Sequence, residues 1–167
     1  PEAYTLNLDH AASFSFSQGN SLAIELQRLL GSTYSRGIQF IGHSLGSVLN
    51  AAAVNVLPGF KGIQFTILDA PLQLTRFNEQ DFHTLLRPSP VVEWVDNYIG
   101  TDNLSVPPAV GAPIIGAVLD GGWRVPGNHS GVHEFYLSTV TNSTWQDSGF
   151  YFSKLLSDKG GYSRRPA

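Results

Sequence analysis

Residues Gly42-His43-Ser44-Leu45-Gly46 follow the pattern G-x-S-x-G, and the stretches on either side of it differ in kind. Before it, Gly37 to Ile41 (GIQFI) is an apolar run of strand character. After it, Leu45 to Val56 (LGSVLNAAAVNV) is rich in Ala, Val and Leu until Pro58 breaks it. A serine at such a strand-to-helix joint is forced into a strained backbone conformation that projects its hydroxyl into a cleft. Gly42 and Gly46 then spare the turn two side chains that would collide as the chain doubles back. The following helix aims its first N–H groups and the positive end of its dipole at the same point. The Leu45 N–H is therefore the expected donor to an oxyanion formed when Ser44 attacks an acyl carbon. The chemistry predicted is acyl transfer through a serine nucleophile.

A serine hydroxyl needs a general base, and in a strand-turn-helix site of this kind the chain order is Ser, acid, His. His10 and His43 precede Ser44 and fail that order. His43 reads as a packing residue of the turn, His10 as one that could line the cleft, and His83 falls in a helical stretch. His129 sits in the loop before Ser130, which reads as the cap of a last helix (SGVHEFYLSTV), with Glu134 in its first turn. His133 already lies inside that turn, so His129 is the expected base and His133 the alternative. For the carboxylate that orients the imidazole, Asp96 closes VVEWVD and Asp69 closes IQFTILD, so either could stand at the edge of a sheet. Asp102 and Asp120 are further candidates. Asp69-Ala70-Pro71 can equally cap a turn through side-chain to backbone bonds, and Asp96 is the favoured acid.

These residues need a frame. Ala3 to Leu8 reads as a short strand, and Ser21 to Leu30 as a helix carrying Leu22, Leu26, Leu29 and Leu30 at helical spacing, with Asn20 or Ser21 as its cap. Ile63 to Leu68 and Val91 to Val95 read as strands separated by a helical stretch from Phe77 to Leu86, and Ile114 to Leu119 as a fifth strand. Strands alternating with helices argue for βαβ units and a mainly parallel sheet with helices on both faces. The expected class is α/β, in one domain spanning residues 1–167.

Composition excludes several alternatives. A net charge of -3, with no basic run longer than Arg164-Arg165, offers no footprint for a nucleic-acid backbone. The absence of cysteine removes disulfides, thiol nucleophiles and thiolate metal sites. No apolar run approaches the ~18 residues of a membrane span. Only 14% of residues are charged, against about 25% in typical soluble domains, which leans towards a secreted protein. No cofactor or metal is expected. The chain starts at Pro1 and holds no Met, so a processed or cut chain is expected.

Taken together, these residues resemble the serine lipase and esterase branch of the α/β-hydrolase superfamily. FIGHSLGSVLNAAAV is similar to the lipase nucleophile elbow and its helix. ILDAP at 67–71, VDNYIGT at 95–101 and NHSGVHEFY at 128–136 are similar to the LDP, DNYY and HSxVxxWY patterns of microbial lipase-like hydrolases. The departures are Asp69-Ala70-Pro71 in place of LDP, Ile99 in place of a second Tyr, and Phe135 in place of Trp. The resemblance implies a triad of Ser44, Asp96 and His129 acting on a small-molecule ester or lipid. LDAP is also similar to pancreatic-type lipases, which take the acid one strand earlier, at Asp69. Against the superfamily core, about three strands are missing before Ala3, together with the loop that gives the second oxyanion donor. The chain is therefore expected to be the C-terminal part of that fold, with an uncovered sheet edge open to self-association. Hydrolysis of carboxylic esters is the leading expectation. A non-catalytic binding module derived from a hydrolase is the alternative, and acyl transfer or thioester hydrolysis by the same triad a third option.

Overall fold

The computed structural model describes residues 8–57, 59–70, 92–101, 123–141, 149–150 and 165–166. Within them the chain runs α1 (Leu8–Leu30), β1 (Ile38–His43), α2 (Leu45–Asn55), β2 (Ile63–Leu68), β3 (Val92–Gly100), β4 (Trp123–Val125), α3 (His129–Thr141) and β5 (Arg165–Pro166). Strands β1, β2, β3 and β4 lie side by side in that order and are parallel throughout. The short β5 pairs antiparallel with β3 at Trp94 and Val95. The general α/β class with a mainly parallel sheet is as expected.

Burial follows from strand alternation, which sends successive side chains to opposite faces. On one face Ile63, Phe65 and Ile67 of β2 join Phe40 of β1 and Ala51, Ala53 and Val54 of α2 in a core that Ala23 of α1 completes. On the other, Leu68, Tyr98 and Val125 meet Val132 and Tyr136 of α3. Helices thus cover both faces of β2, every residue of which is buried. That double cover explains why its sequence reads as a near-continuous apolar run. It also leaves a polar layer under α3, where Gln39 Nε2 donates to Thr66 Oγ1 (3.0 Å) and to the Tyr136 hydroxyl (3.1 Å).

Several boundaries differ from the sequence expectation. Helix α1 starts at Leu8 rather than near Ser21, so Leu8 is helical, and the rest of the strand expected at Ala3 to Leu8 lies outside the described residues. Gly19, in the middle of α1, looks like a break in sequence. Its missing side chain instead lets α1 lie against α2, because a Cβ there would collide with the Leu49 carbonyl. Leu22, Leu26 and Leu30 pack onto the core as their spacing predicts, whereas Leu29 is 67% exposed. Strand β3 continues five residues beyond Val95, and β4 at Trp123–Val125 is additional. The helix expected at Phe77 to Leu86 and the strand expected at Ile114 to Leu119 fall outside the described residues. Among the described residues no helix is long and apolar enough to cross a membrane.

Candidate active site

Ser44 is the first residue past β1, and its backbone has φ 54° and ψ -129°. A non-glycine residue in this region stores on the order of 1–3 kcal/mol of strain and persists only where its surroundings enforce it. Here they do. The Ser44 N–H donates to the Leu68 carbonyl at the end of β2 (2.9 Å), and the Ser44 carbonyl accepts from the Ser47 N–H (2.9 Å). Ser47 is fully buried, and its hydroxyl reaches back to the Gly42 carbonyl (2.7 Å), tying the first turn of α2 to the strand that feeds it. Gly42 is required by this fold-back, since a Cβ there would lie 2.6 Å from both Gly46 O and Ser47 N. Gly46 differs from expectation: a Cβ there meets nothing within 4 Å among the described residues. The Ser44 side chain makes no capping hydrogen bond to α2, so its hydroxyl is not committed to the helix. Leu45 opens α2, and its N–H belongs to the first turn, whose amides lack intrahelical acceptors.

Asp69 repeats the geometry one strand over. It is the first residue past β2, it has φ 49°, and its N–H donates to the Tyr98 carbonyl of β3 (2.8 Å). Parallel register pairs His43 with Leu68, so Ser44 and Asp69 follow directly from paired residues and stand next to each other at the carboxyl edge of the sheet. The Asp69 carboxylate is fully buried. Its Oδ1 accepts from the Gly100 N–H (3.2 Å), and its Oδ2 from His129 Nδ1 (2.6 Å). A carboxylate can only accept, so the Nδ1 proton is held there and Nε2 of a neutral imidazole keeps its lone pair.

His129 is the first residue of α3 rather than a loop residue before it. The cap is Asn128, not Ser130: Asn128 Oδ1 accepts from the Gly131 N–H (3.0 Å), and its carbonyl accepts from the Val132 N–H (3.2 Å). With the helix starting at His129, Glu134 lies beyond the first turn. The His129 side chain is 26% exposed, so a molecule in solution can reach the ring whose other side rests on Asp69.

The carboxylate that meets the histidine is thus that of Asp69 rather than Asp96. Asp96 does not end its strand. It lies four residues before Gly100, about 13 Å from the edge at ~3.3 Å per residue. There it is buried at 2% exposure and accepts a hydrogen bond from Gln64 Nε2. Asp102 and Asp120 lie outside the described residues. His133, the alternative base, is exposed on α3.

His43, Ser47 and Gly100 are the participants that the sequence reading does not assign to the site. The His43 ring packs against His129 (centroids 4.6 Å apart, 33° between planes) and against His133 (4.8 Å, 54°). His43 Nε2 lies 2.8 Å from the His129 carbonyl, and because a carbonyl only accepts, that nitrogen carries the proton. Burial lowers the His43 pKa below its ordinary 6.5, against the hydrogen bond to the His129 carbonyl, which raises it; the charges of His129 and His133 lower it further and that of Asp69 raises it. The sequence marks Asp69 only as an acid that directly follows a strand-like run, a mark it shares with Asp96. Among the described residues no group of His, Asp or Glu side chains could hold a metal ion. Comparison of the chain with family models, with curated proteins and with solved structures gives no match.

Proposed function

We propose that this chain is a serine hydrolase of carboxylic esters, of the α/β-hydrolase type, with Ser44 as nucleophile, His129 as general base and Asp69 as the orienting acid. The observation that carries this reading is the 2.6 Å bond between His129 and the buried Asp69, made at the sheet edge where Ser44 holds a strained turn. Support also comes from the order of the parts: serine after β1, acid after β2 and histidine after β4, which is the chain order of this architecture.

In this mechanism Ser44 Oγ attacks the ester carbonyl carbon as its proton passes to His129 Nε2. Asp69 holds Nδ1 and stabilises the imidazolium that forms. The carbonyl oxygen, now an oxyanion, takes a hydrogen bond from the Leu45 N–H at the positive end of α2. Collapse breaks the ester C–O bond, the leaving alkoxide takes the proton from His129, and an acyl-Ser44 ester remains. Water then attacks this ester while His129 removes its proton, and the carboxylic acid leaves as Ser44 regains its hydrogen. The substrate class is a small-molecule ester or a lipid.

Labelling with a fluorophosphonate, with the modified peptide located by mass spectrometry, tests the nucleophile. Wild type is expected to label at Ser44 and to turn over p-nitrophenyl butyrate, while S44A does neither. A folded wild-type chain that neither labels nor turns over the ester overturns the reading in favour of a non-catalytic binding module.

A further inference from the structure

We infer that His43 is a positioning residue for His129, tying the general base to the nucleophile's own turn through a hydrogen bond from His43 Nε2–H to the His129 backbone carbonyl. The inference rests on the proposed ester-hydrolase reading for its catalytic consequence, and on geometry alone for the positioning itself.

Asp69 holds one corner of the His129 imidazole. A single hydrogen bond leaves the ring free to pivot about that contact, and it does not fix the helix end from which the ring projects. His43 supplies the second anchor. Its Nε2 lies 2.8 Å from the carbonyl of His129, 86 residues further along the chain, and its ring lies against the His129 ring at 4.6 Å. His43 and Ser44 are consecutive, so nucleophile and base are connected by one peptide unit, one side chain and one hydrogen bond. Any movement of the start of α3 away from the elbow must break that bond. His133, one turn further along α3 and itself exposed, lies against the same His43 ring at 4.8 Å.

Charge is consistent with this role. The titratable groups facing His43 are His129 and His133 from α3 and Asp69 from the end of β2. A cationic His43 would oppose formation of the imidazolium at His129 that the reaction requires. Burial favours the neutral ring, which still donates from Nε2.

The test compares H43F, which keeps a ring but loses the donor, with H43Q, whose amide Nε2–H can reach the same carbonyl. Two readouts are taken: the rate of fluorophosphonate labelling at Ser44, and the low-field Nδ1 proton of His129 in protein carrying ¹⁵N-histidine. In H43F labelling is expected to slow about 10- to 100-fold, the scale of loss for a misplaced catalytic group. Its Nδ1 proton is expected to broaden or exchange into water, with the melting temperature little changed. H43Q is expected to stay close to wild type in both. Wild-type behaviour of H43F in both readouts overturns the inference. If H43F does not fold, H43N takes its place, since its shorter side chain cannot reach the carbonyl, and equal behaviour of H43N and H43Q overturns the inference. A wild type that never labels, but whose Nδ1 proton is lost in the donor-deficient variant, refutes the hydrolase reading and leaves the positioning role standing.

Discussion

The buried carboxylate of Asp69 accepts the Nδ1 proton of His129 at 2.6 Å across 60 residues of sequence. The two residues meet because β2 ends beside β1 while α3 starts where the chain leaves β4, so both reach the carboxyl edge of the same sheet. The Gly100 N–H on the other oxygen of Asp69 fixes the carboxylate plane beside the histidine. A buried, charge-assisted bond of this length orients the ring and selects its tautomer.

The first prediction separates the two acids. In D69N the amide cannot hold His129 in the required tautomer, and kcat for a p-nitrophenyl ester is expected to fall about 10³- to 10⁴-fold, the scale seen for an orienting acid. D96A removes the acceptor of a buried hydrogen bond from Gln64 and should cost about 1–3 kcal/mol of stability, with kcat changed far less. Steady-state kinetics paired with urea unfolding read both. A D96A enzyme that is stable but inactive would restore Asp96 as the acid.

The elbow glycines give the second. In G42A the new methyl group meets the backbone at Gly46 and Ser47, 2.6 Å away, and backbone there cannot yield without unwinding the first turn of α2. A destabilisation of about 1–3 kcal/mol is expected for such overpacking, with loss of fluorophosphonate labelling at Ser44. G46A meets open space among the described residues and should fold and label like wild type. Equal damage from the two substitutions would contradict the asymmetry.

Much of this site is visible in the amino-acid order, and what is not has identifiable causes. Ser44 is legible because a serine between glycines, flanked by a strand and a helix, has few other uses. Asp69 and Asp96 are not separable by pattern, since each follows an apolar run. What separates them is that β3 continues through Asp96 and Asn97, two polar residues buried inside the sheet, where a strand read by apolar residues ends. Gly19-Asn20-Ser21 carries the composition of a helix start, yet lies inside α1 because the missing Cβ of Gly19 answers a contact with α2 that local sequence cannot reveal. Strand β4, only three residues long, is too short to show a period.

The third prediction concerns the two histidines of α3. His129 touches Asp69 and His133 does not, although both rings lie against His43. H129A is expected to lose activity as completely as S44A, because nucleophile and base act as a unit and their losses do not add. H133A removes an exposed ring and should keep most of the activity. Labelling and ester turnover of S44A, H129A, H133A and the S44A/H129A pair check this, and an H133A chain as inactive as H129A would move the base to His133.

The last prediction follows from the lowered pKa of His43, where burial outweighs the raising effect of the hydrogen bond to the His129 carbonyl. On acidification the unfolded chain takes up this proton near the ordinary value of 6.5, while the native state takes it up only at lower pH. The native state binds fewer protons in that window, so stability is fully present above about 6.5 and falls as pH drops from there towards the native pKa. H43Q cannot titrate there. Urea unfolding of wild type and H43Q in steps from about pH 8 to pH 5 should therefore give a stability difference that is constant above neutrality and shifts against wild type on acidification. A difference that stays flat across the range would mean that burial does not shift His43, and one that moves in favour of wild type at low pH would mean that the native protein takes up this proton more readily than the unfolded chain, against a neutral donor beside His129.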